Sequence, residues 1–218
     1  MSEKDQMKLG FIGAGNVAKK LAEAFLEKGY EIRLGSRSPE KLNVWVKAAG
    51  KKASAGTLSE TAVFGDVLFF CVGGEVINEA IAAAGPQNFA GKTLIDVTNP
   101  MDFSKGIPPR FTVEFGNSLG EQIQRMLPDA NVVKAFSSIG LEVMTNPYYG
   151  DQTATMLIAG NDKNAKNEAA KLAQEFGWDI EDIGEIDQSF LLEAFANLWV
   201  NYGLKHNTRS HAFKLLKR

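Results

Sequence analysis

Cysteine is nearly missing from this chain: Cys71 is the single thiol among 218 residues. No intramolecular disulfide can form, so a reducing, cytoplasmic setting is the simplest expectation. Cys71 sits in an apolar run with nothing obvious nearby to depress its pKa, which suits a small core residue better than a nucleophile. Histidine is scarce as well. His206 and His211 stand five positions apart, a poor spacing for one helix face, and no third ligand accompanies them. No metal site is expected there, and surface or loop positions are the plain reading. Neither sign of charge dominates, since 24 Lys and Arg face 26 Asp and Glu for a net charge of −2. That balance supplies no field for nucleic acid or an anionic membrane. No apolar run reaches the roughly 18 residues that suggest a membrane span. Met1–Gln6 is charged and lacks the apolar stretch of a signal peptide. No internal repeat, catalytic carboxylate pair or Ser-His-Asp arrangement stands out.

What the chain does have is alternation. Its 44% hydrophobic content is ample for a core, and the length suits one large α/β domain with a small appendage. Strand-like runs are expected over 9–12, 30–34, 52–55, 67–72, 93–97, 131–135, 153–159 and 178–183. Helical patterns fall between them, over 16–28, 39–49, 75–84, 118–126 and 163–176, and a last one spans 188–202. A short helix opens on the capping box Thr57-Leu-Ser-Glu60, Asp162 is the expected cap of the helix from Lys163, and Ser38 is the expected cap of the helix that begins at Pro39. Residues 101–117 look irregular. Val67–Val72 is apolar on both faces, as a central parallel strand is. The pattern predicts a doubly wound parallel sheet with helices on both faces, the Rossmann NAD(P)-binding fold. Residues 1–185 form that domain, and 186–218 form a helical extension packed on it. The extension carries Phe190, Leu191, Phe195, Leu198, Trp199 and Tyr202. Such a stripe serves core or subunit-interface packing more often than a cofactor box, so a homodimer is expected.

The most informative stretch is Lys8–Ala18 followed by Ile32–Pro39. An apolar strand runs into Gly13-x-Gly15-x-x-Ala18 and then a helix, the layout of a dinucleotide-binding βαβ unit. Gly13 permits the tight turn, Gly15 lets a pyrophosphate approach the backbone, and Ala18 lets helix and strand pack closely. Free N–H groups at the helix start then meet the phosphates. The second strand ends in Ser36 and Arg37, where NAD-binding sites usually place a carboxylate for the ribose 2′-hydroxyl. A cation there suits the 2′-phosphate of NADP(H), although Arg37 also fits an ordinary solvated charge.

Five stretches together resemble one family, the NADPH-dependent oxidoreductases of the coenzyme F420 type. They are Gly13–Val17, Gly35–Lys41, Asp96–Pro100, Val132–Phe136, and the tail Leu192–Val200 with His211–Leu216. The chain is also similar to the cytoplasmic oxidoreductase domain of membrane-anchored metalloreductases. The resemblance implies that Gly13, Ala14, Gly15, Asn16 and Val17 cradle the pyrophosphate. It implies that Ser36, Arg37 and Lys41 bind the 2′-phosphate, and that Val72 and Gly73 line the adenosine side. Thr98, Asn99 and Pro100 then lie near the nicotinamide, and Ala135 and Phe136 border it and a second ring. Gly73-Gly74 and Ser137 depart from the residues many relatives carry, at positions that face the second substrate.

The implied reaction is hydride transfer between NADPH and a small-molecule redox acceptor, with coenzyme F420 or a flavin as the expected second substrate. A small quinone or a metal chelate is the other acceptor class. Such transfer needs stacking and face selection more than a dedicated acid or base. Two further readings stand beside it. One is an imine reductase similar to pyrroline-5-carboxylate reductase, although too few residues follow the last strand for the helical dimerisation domain those enzymes need. The other is a regulatory NADP sensor without turnover. Asp96, at a strand end, is expected to bond neighbouring backbone N–H groups.

Overall fold

The computed structural model describes residues 7–218, so the charged Met1–Gln6 segment lies outside the described residues. In chain order the elements are β1 (Lys8–Ile12), α1 (Asn16–Glu27), β2 (Glu31–Gly35), α2 (Asn43–Ala49), β3 (Ala53–Gly56), α3 (Leu58–Phe64) and β4 (Val67–Phe70). Then follow α4 (Ile77–Ala84), β5 (Thr93–Asp96), the small hairpin β6 (Met101–Asp102) with β7 (Arg110–Phe111), α5 (Leu119–Met126) and β8 (Asn131–Lys134). A second small hairpin, β9 (Tyr148–Tyr149) with β10 (Gln152–Thr153), precedes β11 (Thr155–Gly160), α6 (Lys163–Gln174), β12 (Asp179–Asp182) and α7 (Ser189–His206).

Eight strands form one sheet in the order β12-β11-β8-β5-β4-β1-β2-β3. From β3 to β8 all neighbours run parallel, which gives the doubly wound Rossmann layout. The last two strands differ from the expected direction. β11 runs antiparallel to β8, and β12 follows β11. Residues 135–154 carry turns and a hairpin but no helix between β8 and β11, so no crossover element returns the chain to the parallel direction.

Strand alternation divides the core between two faces. Phe11, Leu34, Phe69, Ile95 and Val133 pack under Leu21 and Phe25 of α1 and Ala169 and Leu172 of α6. Ile12, Leu68, Phe70, Leu94 and Val132 pack against α3, α4 and α5 through Ala62, Ile81 and Ile123. Several local expectations hold. Thr57 and Glu60 form the reciprocal capping box of α3, and Asp162 caps α6 by accepting the Ala165 N–H at 2.8 Å. Ser38 does not cap: its hydroxyl accepts no helix N–H, and its own N–H donates to Ser36 Oγ at 3.1 Å. The helices expected from Pro39 and Glu75 each begin with a 3₁₀ turn. The tail helix runs past Tyr202 to His206 and stops at Asn207 in the left-handed region. The chain then returns to the sheet: the Thr155 N–H donates to the Phe213 carbonyl at 2.9 Å, and Lys214 pairs with Asp179 at 2.5 Å.

Phe69 joins two aromatic contacts of the first core layer, stacked on Phe11 at 4.7 Å and tilted against Phe25 at 5.5 Å. We predict that Phe69→Ala lowers unfolding free energy by about 3–5 kcal/mol, as large-to-small changes at fully buried aromatics do. Urea titration measures it; a loss below about 1 kcal/mol, the level of an ordinary substitution, contradicts this account of the core.

Candidate functional site

Sheet register aligns the expected site residues before any side chain is considered. Ile12 pairs with Gly35 and with Phe70, Phe70 with Asp96, and Asp96 with Lys134. Five neighbouring strands therefore end at one level. The segments carrying Gly13–Val17, Ser36–Lys41, Val72–Gly73, Thr98–Pro100 and Ala135 emerge side by side. At ~4.8 Å per strand, the row from β2 to β8 spans about 19 Å. Chain direction across the sheet reverses between β1 and β4, the switch point where open α/β sheets place ligands.

The glycine turn divides its work between two residues. Gly13 adopts φ +119° and lies against the Cys71 carbonyl, where a Cβ finds no room. Its N–H donates to the Gly35 carbonyl at 3.2 Å, tying the turn to the end of β2. Gly15 has an ordinary φ of −73°, yet a Cβ there meets nothing within 4 Å. The space before it is open, the kind of cradle a Cβ fills. Helix α1 starts at this point with no side-chain cap and no acid in its first turn. Its first N–H groups, at Asn16, Val17 and Ala18, have no intrahelical partners and suit an anion. Ala14 and Val17 are half-buried, and Asn16 is exposed.

Beside that turn, the Ser36 N–H donates to the Gly56 carbonyl at 2.9 Å, while its hydroxyl accepts from Ser38 and keeps its proton for another partner. Arg37 and Lys41 are exposed, and neither side chain makes a hydrogen bond or ion pair with another described residue. Arg33 shows the contrast: its guanidinium lies over Phe64 at 4.3 Å and donates to Ser54 Oγ at 3.2 Å. The two unpaired cations, one serine hydroxyl and a bare helix start fit a dinucleotide bearing a 2′-phosphate.

At the other end of the row, Thr98, Pro100 and Ala135 are buried and Asn99 is half-buried. Val72 is half-buried and Gly73 exposed. Asn99 donates through Nδ2 to the Ser137 carbonyl at 2.7 Å, and its Oδ1 is buried without a partner. Phe136 departs from its expected place. Its ring is in the core, 6.2 Å from Phe69, while its backbone takes φ +58°, a costly conformation for a bulky residue.

Sequence reasoning missed a charge cluster beneath this end. Lys134 Nζ lies 2.8 Å from Asp96 Oδ2 and 2.9 Å from Glu193 Oε1, and all three side chains are fully buried. The same ammonium donates to the Thr98 carbonyl at 2.7 Å. Glu193 also accepts the N–H groups of Leu119 and Gly120, each at 3.0 Å. Asp96 accepts the Thr98 N–H at 2.9 Å, the role expected of it, and the Thr98 hydroxyl at 2.6 Å. Burial alone lowers the Lys134 pKa, but the Asp96 and Glu193 charges outweigh it and leave the pKa raised. The available signal was a lysine inside an otherwise apolar strand, which cannot be buried alone.

Elsewhere, burial and then the Asp96 charge push the Cys71 thiol pKa up, against a nucleophilic role. His211 lies half-buried in the loop after α7. It stacks on Trp199 at 4.3 Å, and its Nε2 lies 3.0 Å from the Trp199 carbonyl. His206 is exposed beside Tyr202. Among the described residues no three His, Cys, Asp or Glu groups gather as a metal site. A concavity of about 960 Å³ opens at the opposite edge of the sheet, bordered by Met7, Tyr30, Asn131 and α6. Asp162 already occupies the start of α6 there.

Comparison with known proteins agrees with this geometry. Residues 8–100 match the family described as NADP oxidoreductase, coenzyme F420-dependent. A solved structure from Arthrobacter sp. fb24, described as a candidate F420-dependent NADP-reductase, is 30% identical and superposes with a TM-score of 0.91 over 97% of this chain and 100% of that one. An F420-dependent NADP reductase of Methanocaldococcus jannaschii is 26% identical over 87% of this chain and 89% of its own length. The rat protein metalloreductase STEAP3 is 28% identical over 88% of this chain, which spans only 36% of that longer protein.

The two glycines are expected to separate folding from binding. Gly13→Ala forces a Cβ against the Cys71 carbonyl at a positive φ and lowers the melting temperature. Gly15→Val, placed in open space, is expected to leave the melting temperature close to wild type while abolishing binding of NADPH and NADH alike. Thermal melts with and without dinucleotide check both; a Gly15→Val protein that still binds removes the turn from the site.

Proposed function

Because the chain belongs to the family of coenzyme F420-dependent NADP oxidoreductases, we propose that it binds NADP(H) along the carboxyl edge of β2, β1, β4, β5 and β8 and exchanges a hydride with a deazaflavin or flavin-like acceptor. The observation that carries this reading is the pair of unengaged cations, Arg37 and Lys41, beside the bare start of α1. NADPH supplies the hydride, and the protein's part is to bind, orient and select. Gly13 shapes the turn, and Ala14, Gly15, Asn16 and Val17 offer backbone N–H groups to the pyrophosphate. Ser36, Arg37 and Lys41 hold the 2′-phosphate, Val72 and Gly73 flank the adenosine side, and Thr98, Asn99, Pro100 and Ala135 set the nicotinamide end. The orphaned Asn99 Oδ1 supports the last assignment, since a buried acceptor without a donor is costly until a ligand supplies one.

The same reading retains a cytoplasmic setting. No described helix is long and apolar enough to cross a membrane. It also retains the homodimer, for which the exposed Leu191, Leu198 and Tyr202 of α7 offer an apolar surface. Residues 1–185 then serve as the nucleotide domain and 186–218 as the extension that closes its far end.

Arg37→Ala should weaken NADPH binding by about 1.5–3 kcal/mol, the worth of a charge-assisted hydrogen bond, and leave NADH nearly unchanged. Calorimetric titration of both nucleotides measures this, and equal losses would defeat the 2′-phosphate assignment. Steady-state NADPH oxidation with a panel of acceptors tests the reaction. Turnover with coenzyme F420 or a flavin supports hydride transfer to such a ring. Turnover with a cyclic imine alone favours an imine reductase, and tight binding with no turnover favours a sensor.

A further inference from the structure

The buried charges beneath the cleft converge on one peptide. Thr98 donates its N–H and its hydroxyl to Asp96 Oδ1, and its carbonyl accepts from Lys134 Nζ at 2.7 Å. Asn99 is held next: its amide donates to the Ser137 carbonyl, and a Cβ on Gly74 would lie 2.6 Å from its backbone oxygen. The Pro100 carbonyl accepts from the Thr112 N–H at 3.0 Å and hydroxyl at 3.1 Å. The 98–100 turn is thus tied from several sides, and one buried side-chain atom in it, Asn99 Oδ1, lacks a donor.

We propose that Lys134 is a positioning residue, which holds the Thr98–Asn99 peptide so that Asn99 Oδ1 accepts an N–H from the carboxamide of the bound nicotinamide, with Glu193 linking this constraint to α7. The inference rests on the dinucleotide reading above. An ammonium carries three protons, and here each has a separate acceptor: Asp96 Oδ2, Glu193 Oε1 and the Thr98 carbonyl. Removing it leaves the Thr98 carbonyl buried without a donor and two carboxylates facing each other without a counter-charge. The Thr98–Asn99 peptide then turns toward new partners and carries Oδ1 with it. Glu193 matters because its carboxylate meets Lys134 and also accepts the Leu119 and Gly120 N–H groups at the start of α5. The position of α7 is thereby connected to the nicotinamide end through one carboxylate.

The test uses two ligands that differ only in the ring concerned. Affinities of the full chain for NADP⁺ and for 2′-phospho-ADP-ribose, which lacks nicotinamide, are measured by calorimetry for wild type, Lys134→Met and Glu193→Gln, with melting temperatures in parallel. Lys134→Met is expected to lower the ratio of NADP⁺ to analogue affinity by about tenfold, and Glu193→Gln by about threefold, the range of remote coupling effects. A purely structural role lowers melting temperature and moves both ligands together; that result, or an unchanged ratio, overturns the proposal. Should Lys134→Met fail to fold, Glu193→Gln decides by the same ratio, since it keeps the Lys134–Asp96 pair. If wild type binds neither ligand, the dinucleotide reading itself has failed, and the positioning role goes with it.

Discussion

A buried ammonium between two carboxylates ties the working end of this molecule together. Lys134 extends from β8, Asp96 closes β5, and Glu193 comes from α7, so one cluster joins the sheet to the tail helix. Two negative charges and one positive charge leave a net negative charge, which the N–H groups at the start of α5 help to offset. Such clusters add little net stability compared with an apolar replacement of the same shape, but losing one partner costs about 3–5 kcal/mol. The cost of breaking it gives the 98–100 turn and α7 a defined relation. Ser118 extends the network by bonding Ser189, the first residue of α7, at 2.7 Å.

The dinucleotide edge depends on a different constraint, the parallel register. Five strands ending at one level deliver five short segments to one row. Each is short because a helix or turn begins at once. Gly13 is forced by backbone crowding, while a Cβ at Gly15 meets nothing in the protein itself. Charge follows the same economy. Some basic side chains are engaged with carbonyls or aromatic rings, as Lys92 is with the Ala62 and Gly65 carbonyls and Arg33 is with Phe64. Arg37 and Lys41, beside the glycine turn, are not.

Much of the architecture was legible along the chain. The alternation of apolar runs predicted the sheet and its two helix layers, because strand and helix periods differ and each must bury one face or two. The capping box at Thr57 and the cap at Asp162 were readable for the same local reason: a short polar side chain three residues before a helix N–H has one good partner. Ser38 shows where that reasoning stops. Its hydroxyl accepts no helix N–H, its own N–H turns back to Ser36 Oγ, and the turn that follows is 3₁₀. The reversed β11 was unreadable too, since strand direction depends on how residues 135–154 travel, and an irregular stretch carries no period.

The sequence by itself determined the glycine turn, the helix start and the Ser36–Arg37 ending that are proposed to hold the nucleotide, because they are local and their spacing is set by one βαβ unit. The tertiary structure alone decided the charge cluster beneath the end proposed for the nicotinamide. Lys134 and Glu193 lie 59 positions apart, and only the packing of α7 across the strand ends brings the carboxylate to the ammonium. Phe136 was assigned to the cleft by its neighbours in sequence, but its φ of +58° turns the ring into the core. Local spacing specifies local geometry; partners that meet through packing are identified only once the layers are assembled.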